Sequence, residues 1–250
     1  MVKVGIIGGS GLDDPQLLKS AKEKHVTTIY GDPSSALTVG SIEGRDVVII
    51  SRHGKQHTIP PTHVNFRANI QALKSQGCTH ILATTACGSL REEIKRGDLV
   101  ILDQFIDFTR FRPITYFDTF PPGAENAKHT AMSDPFDETL RQKLIANAAQ
   151  LGLSFHKTGT VVTIEGPRFS TRAESRMFRI WGADVINMSI APEAILANEA
   201  KIPYAAVAIS TDYDCWKTDE DPVEWSEVLH IFEKNVERVK VLLLKTIQSL

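Results

Sequence analysis

Residues 161–189 constrain the fold more than any other part of the sequence. Residues 161–164 are apolar and mostly β-branched, which predicts a buried strand. The strand runs into the polar loop 165–170, where a Gly-Pro pair stops ladder pairing because proline has no amide hydrogen. A helix is predicted over 172–178 and a second strand over 183–188. This order is typical of an α/β domain with its ligand site at the carboxyl ends of the strands.

Composition narrows the class of ligand. The chain has 250 residues and is 42% hydrophobic, so it can bury a full core, and we expect a single domain over residues 1–250. Its 28 basic and 30 acidic side chains nearly balance, which argues against nucleic-acid or membrane partners and favours a small molecule. No signal peptide or bilayer-spanning run is apparent, and three scattered cysteines do not suggest a disulfide framework. We therefore expect a cytoplasmic protein.

The first strand, near residues 2–7, leads into a glycine-rich turn, Gly8-Gly9-Ser10-Gly11. Such a turn can present backbone amides and the Ser10 hydroxyl to an anion. A dinucleotide fingerprint is broken, because no glycine closes the pattern downstream, and the Gly-Lys-Ser/Thr ending of a phosphate-binding P-loop is missing. A plain tight turn is the alternative.

A hairpin of strands 37–42 and 46–51 leads into a basic loop. Arg52 could bind a phosphate or carboxylate with its guanidinium fork, and His53 could donate beside it. His53 and His57 are four residues apart, but Gly54 and two prolines indicate a loop, so we expect no metal site. A solvated basic loop is the alternative.

A buried strand over 80–86, preceded by a helix over 63–76, ends in Cys87-Gly88-Ser89. Small residues there let backbone amides and the Thr85 hydroxyl approach an anion. Cys87 lacks a base and an orienting group in the sequence, so a buried inert thiol is favoured over a nucleophile.

The middle of the chain predicts a strand over 99–107, a helix over 138–151, a strand over 155–164 and a short helix over 192–200. The aromatic segment 108–122 has no regular period and indicates a long loop, functional or at a subunit contact.

The last buried strand, 204–210, is followed by Asp212 and Asp214, and an amphipathic helix over 227–250 ends the chain. If both carboxyl groups face one cavity, burial and mutual repulsion raise the pKa of at least one, giving an acid that can donate a proton near neutrality. Two carboxylates on an ordinary surface turn are the alternative.

Several motifs together closely resemble the trimeric purine nucleoside phosphorylases over nearly the whole chain. They are Gly9-Ser10-Gly11, Arg52-His53-Gly54, Thr84 to Ser89, Glu165 to Phe169, Asn187-Met188-Ser189 and Ser210 to Trp216. The resemblance implies an α/β domain around a mixed, twisted sheet that forms a distorted barrel flanked by helices. It also implies homotrimers, or dimers of trimers, with active sites near subunit contacts.

The implied activity is reversible phosphorolysis of 5′-methylthioadenosine to adenine and 5-methylthioribose 1-phosphate, with inorganic phosphate as co-substrate and no cofactor. The implied phosphate ligands are Ser10, Arg52, His53, Thr85, Ala86 and Ser189. The implied nucleoside ligands are Phe169, Met188, Asp212, Asp214 and His129, the last reaching a neighbouring subunit's substrate. Asp212 and Asp214 are the implied catalytic pair.

This sequence departs from the family pattern at several positions. Ser10 and Ser189 stand where threonine is frequent, a change that keeps the hydroxyl. Ser170 and Trp225 stand where the family tunes base and 5′-group choice, and Trp225 is bulkier than the expected aliphatic residue. Because the sequence stops at Leu250 while some relatives extend further, the 5′ pocket is expected to be more open.

Other functions stay open at this point. A phosphorylase for 6-oxopurine nucleosides or methylthioinosine is the nearest, although Asp212 disfavours it. A catalytically silent nucleotide-binding protein belongs to another class, and a nicotinamide-dependent enzyme is poorly supported by the broken glycine fingerprint.

Overall fold

The computed structural model describes residues 2–8, 18–220 and 224–250. The strands of these ranges are β1 Lys3–Gly8, β2 Lys19–Lys24, β3 Leu37–Ile42, β4 Arg45–Ser51, β5 His80–Ser89, β6 Leu99–Ile101, β7 Gln104–Phe108, β8 Phe155–His156, β9 Thr160–Ile164, β10 Val185–Asn187 and β11 Tyr204–Asp212. The α-helices are α1 Phe66–Ser75, α2 Glu138–Gln150, α3 Arg172–Ile180, α4 Ile190–Glu199 and α5 Trp225–Gln248. No helix in these ranges combines the length and apolar character that a membrane span requires.

The strands form one mixed sheet that branches at β5. One path runs β2-β3-β4-β1-β5-β10-β9-β7, while β11 also pairs with β5 and continues to β6 and β8. The β5 strand is parallel to β1 and β11 but antiparallel to β10. The predicted mixed α/β sheet with flanking helices is confirmed, and the branch point brings several strand ends to one place.

Alternate residues of the strands pack into different hydrophobic cores. In β4, Val48 and Ile50 face a core shared with α1 and α4, whereas Val47 and Ile49 face a core shared with α2 and α5. All nine residues of β11 are buried. Strands covered on both faces need continuous apolar sequence, which explains why β4, β5 and β11 are readable from the sequence alone.

The predicted strand 155–164 is wrong in one respect, because it is two strands. β8 pairs with β6, and β9 pairs with β7 and β10. Between them Gly159 donates its amide hydrogen to the Asp103 carboxylate at 2.9 Å, and a Cβ there would lie 2.4 Å from Val100. This close backbone approach interrupts the ladder. The predicted strand 99–107 divides similarly into β6 and β7, which have different partners.

The β2 strand was not predicted at all. Its sequence, KSAKEK, is charged and mostly exposed, and it lies at the edge of the sheet against β3. A charged edge strand resists pairing with other molecules but shows no apolar alternation. The aromatic segment 108–122 is confirmed as a long loop after the end of β7.

Candidate active site

The carboxyl ends of several strands surround a cavity of about 440 Å³. The residues predicted for the site that line it are Arg52, His53, Thr85, Ala86, Phe169, Ser170, Met188, Ser189, Asp212, Asp214 and Trp225. Ser10 lies outside the described residues, and His129 does not line the cavity. The structure thus brings most of the predicted set together from six separate stretches of sequence.

The antiparallel pairing of β5 and β10 brings two predicted phosphate ligands together. Val185 pairs with Ser89 and Ile186 with Gly88, and continuing this register places Ser189 beside Thr85. Their hydroxyl oxygens are 3.5 Å apart. The Thr85 hydroxyl donates to the Ala86 carbonyl oxygen at 2.9 Å. Two hydroxyl groups therefore face the cavity at the branch of the sheet.

Ser189 is also the residue that caps α4. The helix begins at Ile190, so the predicted start at Pro192 is two residues too late. Within the described part of the chain the Ser189 side chain makes no capping hydrogen bond to its own helix. The first amide groups of a helix carry a partial positive charge and favour an anion. The amino end of α4 is therefore suited to phosphate.

Arg52 lies directly after β4, and its side chain is only 2% exposed. The expectation that its guanidinium fork is open to phosphate needs correction. The Nε and one terminal nitrogen donate to the two carboxylate oxygens of Glu193 at 2.5 and 3.0 Å, and the other terminal nitrogen donates to the Thr84 carbonyl at 2.9 Å. Burial alone would lower the pKa of Arg52, but the charge of Glu193 and their hydrogen bonds outweigh it and the pKa is raised.

Glu193 was not identified from the sequence. It lies in the first turn of α4 with its side chain fully buried, and it also accepts a hydrogen bond from the Tyr204 hydroxyl at 2.8 Å. In the sequence, Glu193 can be recognised as an acidic residue inside the otherwise apolar segment 190–197. Since buried carboxylates are nearly always paired, this residue predicts a buried cation, though not which one.

His53 is held as a neutral ring. Its Nδ1 lies 2.9 Å from the Ile59 carbonyl oxygen, which can only accept, so Nδ1 carries the proton and Nε2 is an acceptor. Burial, followed by the charge of Arg52, lowers the pKa of His53 from 6.5 to about 4. The prediction that His53 donates to an anion is therefore reversed. Nδ1–H already binds the Ile59 carbonyl oxygen, and the other ring nitrogen, Nε2, offers only its lone pair.

His53 is the inner member of a row of three rings. Its ring stacks on His57 with centroids 4.7 Å apart, and His57 lies 5.5 Å from Trp225. Burial and the charge of Arg52 lower the pKa of His57 as well. Trp225 is 49% exposed at the start of α5. The row extends from the phosphate end of the cavity to its wall at α5.

Asp212 and Asp214 share one end of the cavity, as predicted. The pairing of β11 with β5 is irregular between Ser210 and Asp212, so a bulge directs Asp212 towards Gly88. The Asp212 carboxylate accepts hydrogen bonds from the Asp214 amide and the Thr211 hydroxyl, both at 2.8 Å. Burial is the largest cause that raises the pKa of Asp212, and the charge of Asp214 adds to it. The predicted raised pKa is confirmed for Asp212.

A serine binds the second carboxylate. The Ser170 hydroxyl lies 2.7 Å from each carboxylate oxygen of Asp214. Gly88 is required opposite this pair, because a Cβ there would lie 2.8 Å from an Asp212 carboxylate oxygen. The ring of Phe169, next to Ser170 in the chain, is 40% exposed along the cavity. A flat polar group would thus meet an aromatic face and two buried carboxyl groups.

Arg112 supports the loop that follows β9, and no sequence signal identified it. Its guanidinium donates to the carboxylate of Glu165 and to the Met188 carbonyl oxygen, at 3.2 and 2.6 Å. Gly166 has a φ of +67°, and a Cβ there would lie 2.4 Å from the Met188 sulfur. The loop is therefore packed directly against the residue predicted to lie under a ribose.

Cys87 lines the cavity but is buried, and burial, followed by the charge of Asp212, raises the pKa of its thiol well above the ordinary value. The predicted burial of Cys87 is confirmed, and the raised pKa of its thiol favours an inert cysteine over a nucleophile. In residues 2–8, 18–220 and 224–250, no three His, Cys, Asp or Glu side chains form a group that could hold a metal ion.

His129 follows the aromatic segment 108–122 in the chain and does not line the cavity of its own chain. Its ring packs on Phe120 with centroids 5.8 Å apart. Phe120 and Phe111 are 43% and 78% exposed. The segment thus presents aromatic surface to solvent in the isolated chain.

A family model described as the phosphorylase superfamily matches residues 3–248. The S-methyl-5′-thioadenosine phosphorylases of Xenopus tropicalis and Danio rerio are 56% and 53% identical to this chain, over all of it and 89% of their own lengths. This chain therefore belongs to the phosphorylase superfamily.

Solved structures agree with this assignment. The methylthioadenosine phosphorylase of Schistosoma mansoni in complex with adenine is 45% identical, with a TM-score of 0.93 over 99% of this chain and 91% of that one. A serine-to-threonine variant of the Schistosoma adenosine/methylthioadenosine phosphorylase in complex with methylthioadenosine is 44% identical, with a TM-score of 0.92 over 99% and 91%.

Proposed function

We propose that this chain is a pentosyltransferase that catalyses reversible phosphorolysis of 5′-methylthioadenosine, giving adenine and 5-methylthioribose 1-phosphate. One observation carries the proposal: a buried carboxyl group with a raised pKa shares a cavity with the hydroxyl groups and helix terminus of an anion site. The relatives named as methylthioadenosine phosphorylases support this substrate. The whole sequence, 1–250, would act as one phosphorylase domain.

The reaction needs opposite charges at the two ends of the cavity. Phosphate oxygen forms a bond to C1′ while the C1′–N9 bond breaks and its electron pair passes to the purine. Positive charge then develops on the ribose and negative charge on the base. A phosphate anion stabilises the first, and a proton delivered near N7 stabilises the second. Asp212 is suited to this delivery because its pKa is raised.

The proposed phosphate ligands are the Thr85 and Ser189 hydroxyl groups, the Ala86 backbone, Arg52, His53 and Ser10. The amino end of α4 and the Ser189 hydroxyl would supply donors, and the Thr85 hydroxyl would do so by turning away from the Ala86 carbonyl oxygen. The His53 Nε2 lone pair would accept a hydrogen bond from a protonated phosphate oxygen. Hydrogen phosphate carries such a proton, so this contact suits the co-substrate.

The proposed nucleoside ligands lie at the other end. Phe169 would stack against the purine, Met188 would pack under the ribose, and Asp212 would bind N7 and the 6-amino group with Asp214 beside it. Ser170 holds Asp214 and would thereby influence the choice of base. A carboxylate can accept from an exocyclic amine but not from a 6-oxo group, which supports adenine over hypoxanthine.

We also propose a homotrimer, or a dimer of trimers, in the cytoplasm, with no metal and no cofactor. The position of His129 supports the assembly, because a residue that does not line its own cavity can serve a neighbour's. The exposed rings of Phe111 and Phe120 in the preceding aromatic segment supply apolar surface for a contact. Light scattering on the full chain tests this, with a mass of three or six times 27.6 kDa expected.

The deciding experiment compares purine release from methylthioadenosine, adenosine, methylthioinosine and inosine, each with and without phosphate. We expect adenine release from methylthioadenosine only when phosphate is present. Release of hypoxanthine in preference would move the assignment to a 6-oxopurine phosphorylase. Nucleoside binding without any release would leave a silent nucleotide-binding protein. The ratio of methylthioadenosine to adenosine turnover measures the selectivity of the 5′ pocket.

A further inference from the structure

Glu193 is a fully buried charged residue for which the proposed reaction has no use. Its carboxylate binds Arg52 through both oxygens and Tyr204 through one, so every partner is itself buried. It lies one turn after Ser189, the cap of the helix that faces the cavity. A buried ion pair of this kind is weak support for stability, since apolar residues of similar size often serve as well or better. Stability alone therefore does not explain why the pair is there.

The pair fixes the plane of the Arg52 guanidinium. The Glu193 carboxylate accepts from the Nε–H and one terminal N–H group of Arg52, and the Thr84 carbonyl oxygen accepts from a third N–H group. Three of the five N–H groups are thus engaged on protein atoms, and the rotation that would swing the guanidinium is blocked. Arg52 also lines the cavity, so the direction of its remaining N–H groups is set by Glu193.

The pair also sets the charge beside the phosphate end. The formal charges of Arg52 and Glu193 cancel, and the lowered pKa of His53 leaves that ring neutral at pH 7. Attraction of phosphate then depends on directed N–H and O–H groups rather than on a free cation. In such a site the orientation of each donor matters more than its charge, because the donors must meet the phosphate oxygens at hydrogen-bond distance.

We propose that Glu193 is a positioning residue for phosphate, which it affects through Arg52, and that Tyr204 holds Glu193 in place. This inference rests on the proposed phosphorolysis for the location of the phosphate. Glu193 should therefore affect the binding of phosphate but not the binding of the nucleoside.

The test is Glu193→Gln, which keeps the shape of the side chain but turns one of its two acceptors into a donor. An amide offers one acceptor oxygen where the carboxylate offers two, and its NH2 group would face an Arg52 N–H donor, so the guanidinium loses its fixed orientation. We expect the KM for phosphate to rise about ten-fold, the usual scale for one charge-assisted hydrogen bond, and the KM for methylthioadenosine to stay within about two-fold.

Glu199→Gln is the matched control, because Glu199 ends the same helix and binds Thr115 and the Tyr116 amide away from the cavity. It should leave both KM values within about two-fold. Tyr204→Phe keeps the Arg52 pair and removes one bond to Glu193, so its rise in phosphate KM should be smaller than that of Glu193→Gln. A phosphate KM that is unchanged or lower in Glu193→Gln, or an equal change in both KM values, overturns the proposal.

A double-mutant cycle shows whether Glu193 acts through Arg52. If it does, Arg52→Lys and Glu193→Gln together should raise the phosphate KM no more than the stronger single variant, whereas multiplied effects would refute the route. A second readout needs no turnover: the rise of Tm with added inorganic phosphate. Glu193→Gln should require about ten times more phosphate for the same rise. Absence of adenine release by the unaltered chain would reject the proposed reaction, while this thermal readout would still test Glu193.

Discussion

The two ends of the cavity handle buried acids in opposite ways. At the phosphate end, Glu193 is paired with the Arg52 guanidinium at 2.5 and 3.0 Å, and the two formal charges cancel. At the base end, Asp212 accepts hydrogen bonds from a hydroxyl and an amide and lies beside another carboxyl group, and its pKa is raised. Both carboxyl groups are buried, so burial alone does not decide their chemistry.

The difference shows what each end is built to do. A carboxylate matched with an arginine holds its partner still and gives up no proton. A carboxyl group without such a partner is driven towards its protonated form, which can donate to a base. The same fold thus provides a fixed donor at one end and a proton source at the other.

Asp212→Asn should have the largest effect and tests the base end directly. An amide cannot deliver the proton, so kcat/KM for methylthioadenosine should fall about 10²- to 10⁴-fold. Because an amide can donate to a carbonyl group, the ratio of inosine to adenosine turnover should rise. Steady-state assays on the three nucleosides measure both effects.

Asp219→Asn is the control for this change, since Asp219 is an exposed acid on the segment after the site. It should leave rates and base preference unaltered. An unchanged adenosine-to-inosine ratio in Asp212→Asn would remove Asp212 from base recognition and weaken the contrast between the two ends.

His53→Gln tests the phosphate end through pH. The pKa of His53 is about 4 in the folded chain against 6.5 ordinarily, so the stability that the neutral ring contributes is present above pH 6.5 and is lost as pH falls towards 4. The difference in free energy of unfolding between the unaltered chain and the variant should therefore shrink by about 1–3 kcal/mol over that window.

Urea unfolding at pH 7, 6, 5 and 4 gives the measurement. His230→Gln is the control, because His230 is exposed on α5 and water solvates it in both states. If the difference in free energy of unfolding between the unaltered chain and His53→Gln stays constant over this pH range, His53 takes up its proton in the folded state. The phosphate end would then carry a charge.

Trp225→Val should have the smallest effect. Trp225 lies in the cavity wall between the phosphate end and the base end. Removal of the indole uncovers His57 and widens the wall at α5, so the preference for methylthioadenosine over adenosine should drop about two- to five-fold with phosphate KM unchanged. Trp181→Val is the matched control: Trp181 is also 49% exposed but packs on Phe108 and Phe178. An equal loss in both variants would show that Trp225 has no specific part in the choice of 5′ group.

Many strands and site residues of this protein can be predicted from the sequence, because the patterns that identify them are local. The mainly apolar runs of β4, β5, β9 and β11 are buried on both faces, so each strand can be predicted without knowledge of its neighbours. The polar residues at the carboxyl ends of these strands, such as Asp212 and Arg52, are conspicuous because they interrupt apolar sequence. Residues without that contrast, such as Arg112 in an irregular loop, leave no comparable trace.

What only the tertiary structure decided is which side chains meet. The antiparallel register of β10 on β5 sets Ser189 beside Thr85, and a bulge in β11 turns Asp212 towards Gly88. The partner of Arg52 is Glu193, which lies 141 positions away along the chain. Sequence patterns report burial and local conformation, because these repeat with the period of each strand or helix. Pairing across such separations depends on strand order and register, which no local pattern contains.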